Sequence, residues 1–312
     1  MDGPGNAKLF LQIVKPSLVI FVKYEFWYYY LREIKQNKIP LLLVSALFRK
    51  NSGFFKWYGG LQRKMLSFFQ HLFVQNEASK QLLDSIGMAA TCTVSGDTRF
   101  DRVIDIAENS APIHIIEQFT ANHKAIIAGS TWKEDEVLLK KTMLSINNPT
   151  IKLVVAPHEV HPEHISQLLK LFPSAVLYSQ LETANTASLT SDILIIDNIG
   201  MLSRLYKYAY ITYIGGGFGK GIHNTLEAAV YAKPVIFGPV YQKFNEAIDL
   251  INAGGAVSIN NTGDCKLYVE KLLLDKKEYS ASCKSAGDYV YANRGATKKI
   301  MRFIQENRLL TN

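Results

Sequence analysis

The stretch GGGFGKGIHNTLEAA, residues 215–229, places glycine at 215, 216, 217, 219 and 221, between the apolar run YAYITYI and a segment of helical composition. Glycine removes the side chain that keeps a ligand off the backbone. Amides here can approach an anion, and a helix starting near His223 or Asn224 adds the positive end of its dipole. A sharp strand-to-helix turn needs the same glycines, so both readings stay open. The loop is not the dinucleotide fingerprint, which sits on the first strand of its domain, and it lacks the lysine-serine pair of a P-loop. Asn224 and Glu227, three residues apart, suit a helix cap and its reciprocal partner. They equally suit a carboxylate that grips a ribose diol while the loop amides take a phosphate.

Four other segments carry polar groups of the same kind. Ser130 and Thr131 end an apolar run in GSTWKEDE (129–136), where they either cap the next helix or bind a phosphate or sugar carboxylate. APHEVHPEH (156–164) brings His158, Glu159 and His161 together. Its histidines are three apart rather than in the H-E-x-x-H arrangement, which argues against zinc. DNIG (197–200) follows another apolar run, and GPVYQKFNE (238–246) offers Asn245 and Glu246. No Asp-x-Asp pair is present to hold a divalent ion against a nucleotide diphosphate, so no metal and no resident cofactor are expected. Leaving-group charge would be met by amides, helix ends and cations.

The elements that must position these residues alternate. Short apolar runs at 18–22, 41–46, 71–75 and 91–96 are separated by helical stretches, and the same alternation continues at 125–130, 152–157, 175–179, 192–197, 210–217, 234–239 and 255–259. Continuous apolar strands alternating with helices indicate parallel sheets covered on both faces. The chain of 312 residues, 48% hydrophobic, is long enough for two such domains. The polar stretch at 106–114 divides them, giving residues 1–112 and 113–312, with a long terminal helix from about 276 returning to the first domain. In open parallel sheets ligands bind beyond the carboxyl ends of the strands, which is where every segment named above falls.

Three scattered cysteines exclude a disulfide framework, and no apolar run approaches the roughly 20 residues that cross a bilayer. The formal charge of +8 is concentrated early: residues 1–100 hold thirteen Lys or Arg against six Asp or Glu. There RKNSGFFKWYGGLQRKMLSFF (49–69) interleaves basic and aromatic side chains. That pattern fits an anionic membrane interface or, alternatively, a core helix with a solvated basic edge. No nucleic-acid-binding module surrounds it.

KYEFW (23–27), SGDTRFDRV (95–103), GSTWKEDE, APHEVHPEH and the run from Asp197 to Ala247 resemble, in order, the motifs of the bacterial 3-deoxy-D-manno-octulosonic acid (Kdo) transferases of the lipid A pathway. The resemblance implies a GT-B glycosyltransferase made of two Rossmann-like domains with parallel sheets, the first one incomplete. It implies transfer of Kdo from CMP-Kdo to the lipid A precursor at the cytoplasmic face of the inner membrane, with the anionic membrane surface as a further partner. By matching motif, Ser130, Thr131, His158, Gly216, Gly217, Asn224 and Glu227 would bind the donor, joined by Asn245, and Glu25 would be the acceptor-side carboxylate. The family's Pro-Arg-His is here Pro157-His158-Glu159, so Lys220 or Lys243 would replace the missing cation. Family members also carry a further amino-terminal segment holding an anchor and the general base. Without it, the expectation is a chain that binds CMP-Kdo but does not turn it over. Two alternatives stand: a UDP-sugar transferase or epimerase of the same fold, and a non-catalytic nucleotide-binding fragment.

Overall fold

The computed structural model describes residues 2–183 and 191–310. In chain order the elements are α1 (Pro4–Val14), β1 (Val19–Val22), α2 (Tyr28–Gln36), β2 (Leu41–Ala46), α3 (Gly60–Leu66), β3 (His71–Val74), α4 (Glu77–Asp84), β4 (Cys92–Val94) and α5 (Thr98–Asn109). There follow α6 (His114–Thr120), β5 (Lys124–Thr131), α7 (Lys133–Ile146), β6 (Ile151–Pro157), α8 (Pro162–Leu171), β7 (Val176–Leu177), α9 (Tyr178–Thr183), β8 (Ile193–Ile195) and α10 (Leu202–Leu205). The rest are β9 (Ile211–Ile214), α11 (Leu226–Ala229), β10 (Val235–Phe237), α12 (Asn245–Ala253), β11 (Ala256–Ser258), α13 (Thr262–Leu274), α14 (Lys276–Ala292) and α15 (Ala296–Glu306). They form two compact units, residues 1–101 with 293–312, and residues 102–292.

The first unit is a four-stranded parallel sheet in the order β1-β2-β3-β4. Side chains of a strand alternate between faces, and β2 uses both. Leu41 and Leu43 join Leu31, Ile34, Leu66 and Leu72 in one core, whereas Leu42 and Val44 meet Ile300 and Ile304 of α15 on the other face. The last helix is therefore part of this sheet's covering. It earns that place by period, since Ala296, Ile300 and Ile304 recur every four residues along one buried stripe. Asp101 of α5 fixes its start: the two carboxylate oxygens accept the amides of Gly295 and Thr297 at 2.5 and 2.6 Å. The second Asp of the SGDTRFDRV motif thus acts as a cap for a helix nearly two hundred residues away in sequence.

The long terminal helix expected from residue 276 is instead two helices. Gly295, with φ at 108°, breaks it, so α14 stays with the second unit and α15 with the first. The expected linker is likewise shorter, because α5 continues as helix to Asn109.

The second unit is a seven-stranded sheet in the order β11-β10-β9-β5-β6-β8-β7, with every pairing parallel. After β5 the chain moves outward through β6 toward β7 and β8, then returns to the other side of β5 as β9, β10 and β11. The order reverses between β5 and β9, and at such a switch point the loops leaving the two strands diverge and open a crevice. The loops there are those of Ser130 and of the glycines.

Candidate functional site

The strand ends of the second unit converge on a tight backbone crossing. A Cβ on Gly215 would lie 2.2 Å from the carbonyl oxygen of Ser130, and one on Gly217 would lie 2.5 Å from the nitrogen of Gly238. These glycines let three strand ends touch. Gly216, with φ at 90°, lets the loop turn back, and its carbonyl accepts the amides of Gly219 and Gly221 at 3.0 and 3.1 Å. Not every loop amide is left for a ligand: Gly215 N–H donates to Gly129 O at 2.9 Å, and Gly216 N–H to the carboxylate of Asp135 at 2.9 Å.

On this crossing stand three rings. Trp132 stacks on His158 with centroids 4.6 Å apart, and His158 on His223 at 4.5 Å. The indole N–H of Trp132 donates to His223 Nε2 at 3.3 Å. An indole nitrogen only donates, so Nε2 of His223 is the acceptor and its proton sits on Nδ1. Burial, and secondarily the neighbouring His158, push the His223 pKa below the ordinary 6.5. The unfolded chain therefore binds more protons here than the folded one, and the contribution is complete above pH 6.5 and lost as pH falls through the depressed folded value. His71, also lowered by burial, has the same sign. His223→Gln is expected to flatten part of the fall in Tm between about pH 7 and 5, as followed by calorimetry at stepped pH.

Among the residues singled out from sequence, the structure brings Ser130, His158, Gly216 and Gly217 to this rim. Ser130 holds a φ of 53° at the strand end, so it is part of the turn and caps nothing. Thr131 is fully buried, and its hydroxyl donates inward to Glu136 Oε1 at 3.1 Å. Trp132 occupies the N-cap of α7, its backbone amide donating to the carboxylate of Asp135 at 2.9 Å. The helix expected from His223 or Asn224 begins only at Leu226 and runs four residues, too short for its dipole to count for much. Asn224 does act locally as a cap, its Oδ1 accepting the amide of Leu226 at 3.2 Å, while its Nδ2 donates to Glu227 Oε1 at 3.0 Å. Glu227 Oε2 takes no part in that bond. Asn245 is exposed in the first turn of α12. It is its neighbour Phe244 that packs against the loop, 3.0 Å from where a Cβ on Gly221 would be.

Glu25 belongs to the first unit. It is exposed, accepts the indole N–H of Trp27 at 2.7 Å, and is the one charged residue lining a cavity of about 490 Å³ walled by Phe10, Val19, Phe21, Trp27 and Tyr30. Sequence reasoning gave no role to Asp135, Glu136, Tyr213 or His164. Burial within an acidic first helical turn hid the two carboxylates, although a period of 3.6 sets them on the stripe of Leu138, Leu139 and Thr142. Among the described residues, no group of three or more His, Cys, Asp or Glu is arranged to hold a metal ion.

Two Rossmann-like parallel units, the first with only four strands, define the GT-B fold class. Solved structures agree: the S. aureus MnaA–UDP co-structure superposes with a TM-score of 0.65 at 17% identity over 99% of this chain and 80% of that one. UDP-GlcNAc 2-epimerase from Neisseria meningitidis, bound to UDP-GlcNAc, gives 0.60 at 18% over 97% and 79%. At such identities the likeness is one of fold. Sequence relatives are more particular. The family model described as 3-deoxy-D-manno-octulosonic-acid transferase (kdotransferase) matches residues 1–102. The 3-deoxy-D-manno-octulosonic acid transferase of Rickettsia bellii is 27% identical over 277 residues, 88% of this chain and 66% of that protein. The Rickettsia conorii transferase is 28% identical over 318 residues, 99% of this chain and 64% of that protein. The Aquifex aeolicus transferase is 26% identical over 290 residues. The chain is thus similar in sequence to the bacterial Kdo transferases along nearly its whole length, and it spans 59–66% of the Rickettsia proteins it matches.

Proposed function

We propose that the chain serves Kdo transfer in lipopolysaccharide core biosynthesis, its second unit binding CMP-Kdo and its first unit serving the lipid A precursor. The observation that carries this reading is the likeness to Kdo transferases across both units, where the fold alone would equally suit a UDP-sugar enzyme. The chemistry asked of the second unit is modest. Cleavage of the CMP ester passes through an oxocarbenium-like state and needs positioning and stabilisation of the departing phosphate rather than covalent help. With the amides of Gly215, Gly216, Gly219 and Gly221 engaged within the protein, the phosphate falls to those of Gly217, Phe218 and Lys220. Ser130 closes the opposite wall, His158 and its stacked partners flank the base, and Glu227 takes the pentose. Glu25 lies with the acceptor.

A nucleotide panel read by thermal shift tests this. CMP at a hundred times its Kd is expected to stabilise the protein by about 2.7 kcal/mol, or several degrees in Tm. UDP is expected to do nothing, and stabilisation by UDP alone would favour the epimerase-like reading instead.

A membrane surface belongs to the same proposal. Residues 34–76 contain seven Lys or Arg and no Asp or Glu. The basic aromatic segment divides: Met65, Leu66 and Phe69 are buried in the core, whereas Trp57 is 92% exposed and Tyr58 and Leu61 project beside it. Arg63 stitches that tip by donating to the carbonyls of Phe54 and Lys56 at 3.0 and 2.8 Å. Rings at headgroup depth with cations around them suit anionic lipid. No helix among the described residues is long and apolar enough to cross a membrane. Trp57→Ser is expected to weaken binding to vesicles containing anionic lipid on the order of tenfold, read by co-sedimentation, and added salt to weaken it further.

A further inference from the structure

Asp135 and Glu136, adjacent in the first turn of α7, are 1% and 3% exposed. Acidic residues at a helix start ordinarily face water and complement the dipole. Burying two carboxylates costs several kcal/mol each unless donors meet them, and here donors arrive from different strands. Asp135 accepts the amide of Trp132 at 2.9 Å, the hydroxyl of Tyr213 at 2.7 Å and the amide of Gly216 at 2.9 Å. Glu136 accepts from Thr131 and from His164 Nε2 at 3.0 Å. Capping needs only the Trp132 amide. A bond reaching 81 residues along the chain to the glycine loop needs another reason.

We propose that Asp135 is the positioning residue of the donor site, orienting the glycine loop and the ring stack together before ligand arrives. The peptide plane between Gly215 and Gly216 is the lever. Its N–H points at Asp135, so its carbonyl must point the opposite way, and that carbonyl accepts the amide of His223 at 3.2 Å. One carboxylate therefore sets which loop amides remain for a ligand and where His223 stands, while through Trp132 it holds the other end of the stack. The inference rests on the donor-site reading, but part of its test does not.

Asp135→Ala leaves the amides of Trp132 and Gly216 and the hydroxyl of Tyr213 without their acceptor, whereas asparagine could keep both amides on its oxygen and donate to the Tyr213 hydroxyl. The expected result is amide exchange at residues 216–222 of the ligand-free protein faster by about tenfold or more than in wild type, with sheet amides of the second unit unchanged. CMP binding should weaken by about tenfold or more in calorimetry. Glu136→Gln, which touches Thr131 and His164 instead, should leave exchange at 216–222 within about twofold of wild type. Tyr213→Phe removes one donor and should show the same loop loosening in smaller degree, which serves if Asp135→Ala fails to fold. A folded Asp135→Ala with wild-type loop exchange, or a Tyr213→Phe with wild-type loop exchange beside a misfolded Asp135→Ala, overturns the proposal. A wild-type protein that ignores CMP overturns the donor reading alone, and the exchange measurements still judge Asp135.

Discussion

Glu227→Ala is expected to weaken CMP binding by about 10- to 100-fold with little change in Tm, because a hydrogen bond to a charged group contributes about 1.5–3 kcal/mol. Glu227 is half-buried, close to the glycine crossing, and Asn224 fixes its rotamer through Oε1. A carboxylate so held loses little freedom on meeting a diol, which is the condition for its bonds to count in full. The Asn224 bond also gives a graded control. Asn224→Ala leaves the carboxylate in place but free to rotate, and should cost only about 0.5–1.5 kcal/mol, less than about tenfold. Cytidine, which lacks the phosphate, makes the assignment specific. If Glu227 grips the pentose, the substitution must cost the same for CMP and for cytidine in calorimetry. A loss confined to CMP would mean that Glu227 acts on the phosphate side, and the pentose assignment would go.

The fold was legible because parallel strands buried on both faces appear as continuous apolar runs, and LLLVSA, KLVVAP and YITYI lie in or overlap β2, β6 and β9. Helix limits were harder to read. Nothing in HNTLEAA shows that Asn224 turns locally and leaves a helix of four residues, and nothing near residue 295 shows that a glycine there hands the chain back to the first sheet. The candidate site was legible in its location, since strand ends at a switch point can be found by counting strands, but less so in its wiring. Ser130 and Thr131 look alike in sequence. The turn at Ser130 sends one toward the rim and the other into the interior, and that follows from a single backbone angle. Trp132 and His223 meet across 91 residues, and Asp135 and Gly216 across 81, with no local pattern to announce either pair. A buried carboxylate in an acidic turn looks the same as an exposed one until its partners are known.

The glycines themselves decide between two physical accounts of the loop, and Gly215→Ala separates them. If Gly215 served only to admit a ligand, alanine would spare the fold and harm binding. The structure gives it a different task, because the added Cβ would meet the carbonyl oxygen of Ser130 at 2.2 Å, its carbon at 2.6 Å and the Cα of Thr131 at 2.6 Å. All three are backbone atoms of the strand paired with β9, and none can rotate aside. Relief requires parting β5 from β9 at the switch point, where Gly215 N–H bonds Gly129 O at 2.9 Å. Overpacking of this kind costs about 3 kcal/mol, which in a unit of this size is a fall in Tm of about 6–12 °C by calorimetry. Gly219→Ala is the contrast, its nearest neighbour lying 3.8 Å from the added Cβ. There the change should stay within about 0.5 kcal/mol, with any loss appearing in nucleotide affinity instead. Equal effects of the two substitutions on Tm would mean that the crossing of β5 and β9 does not constrain the loop, and that its glycines are needed for the ligand alone.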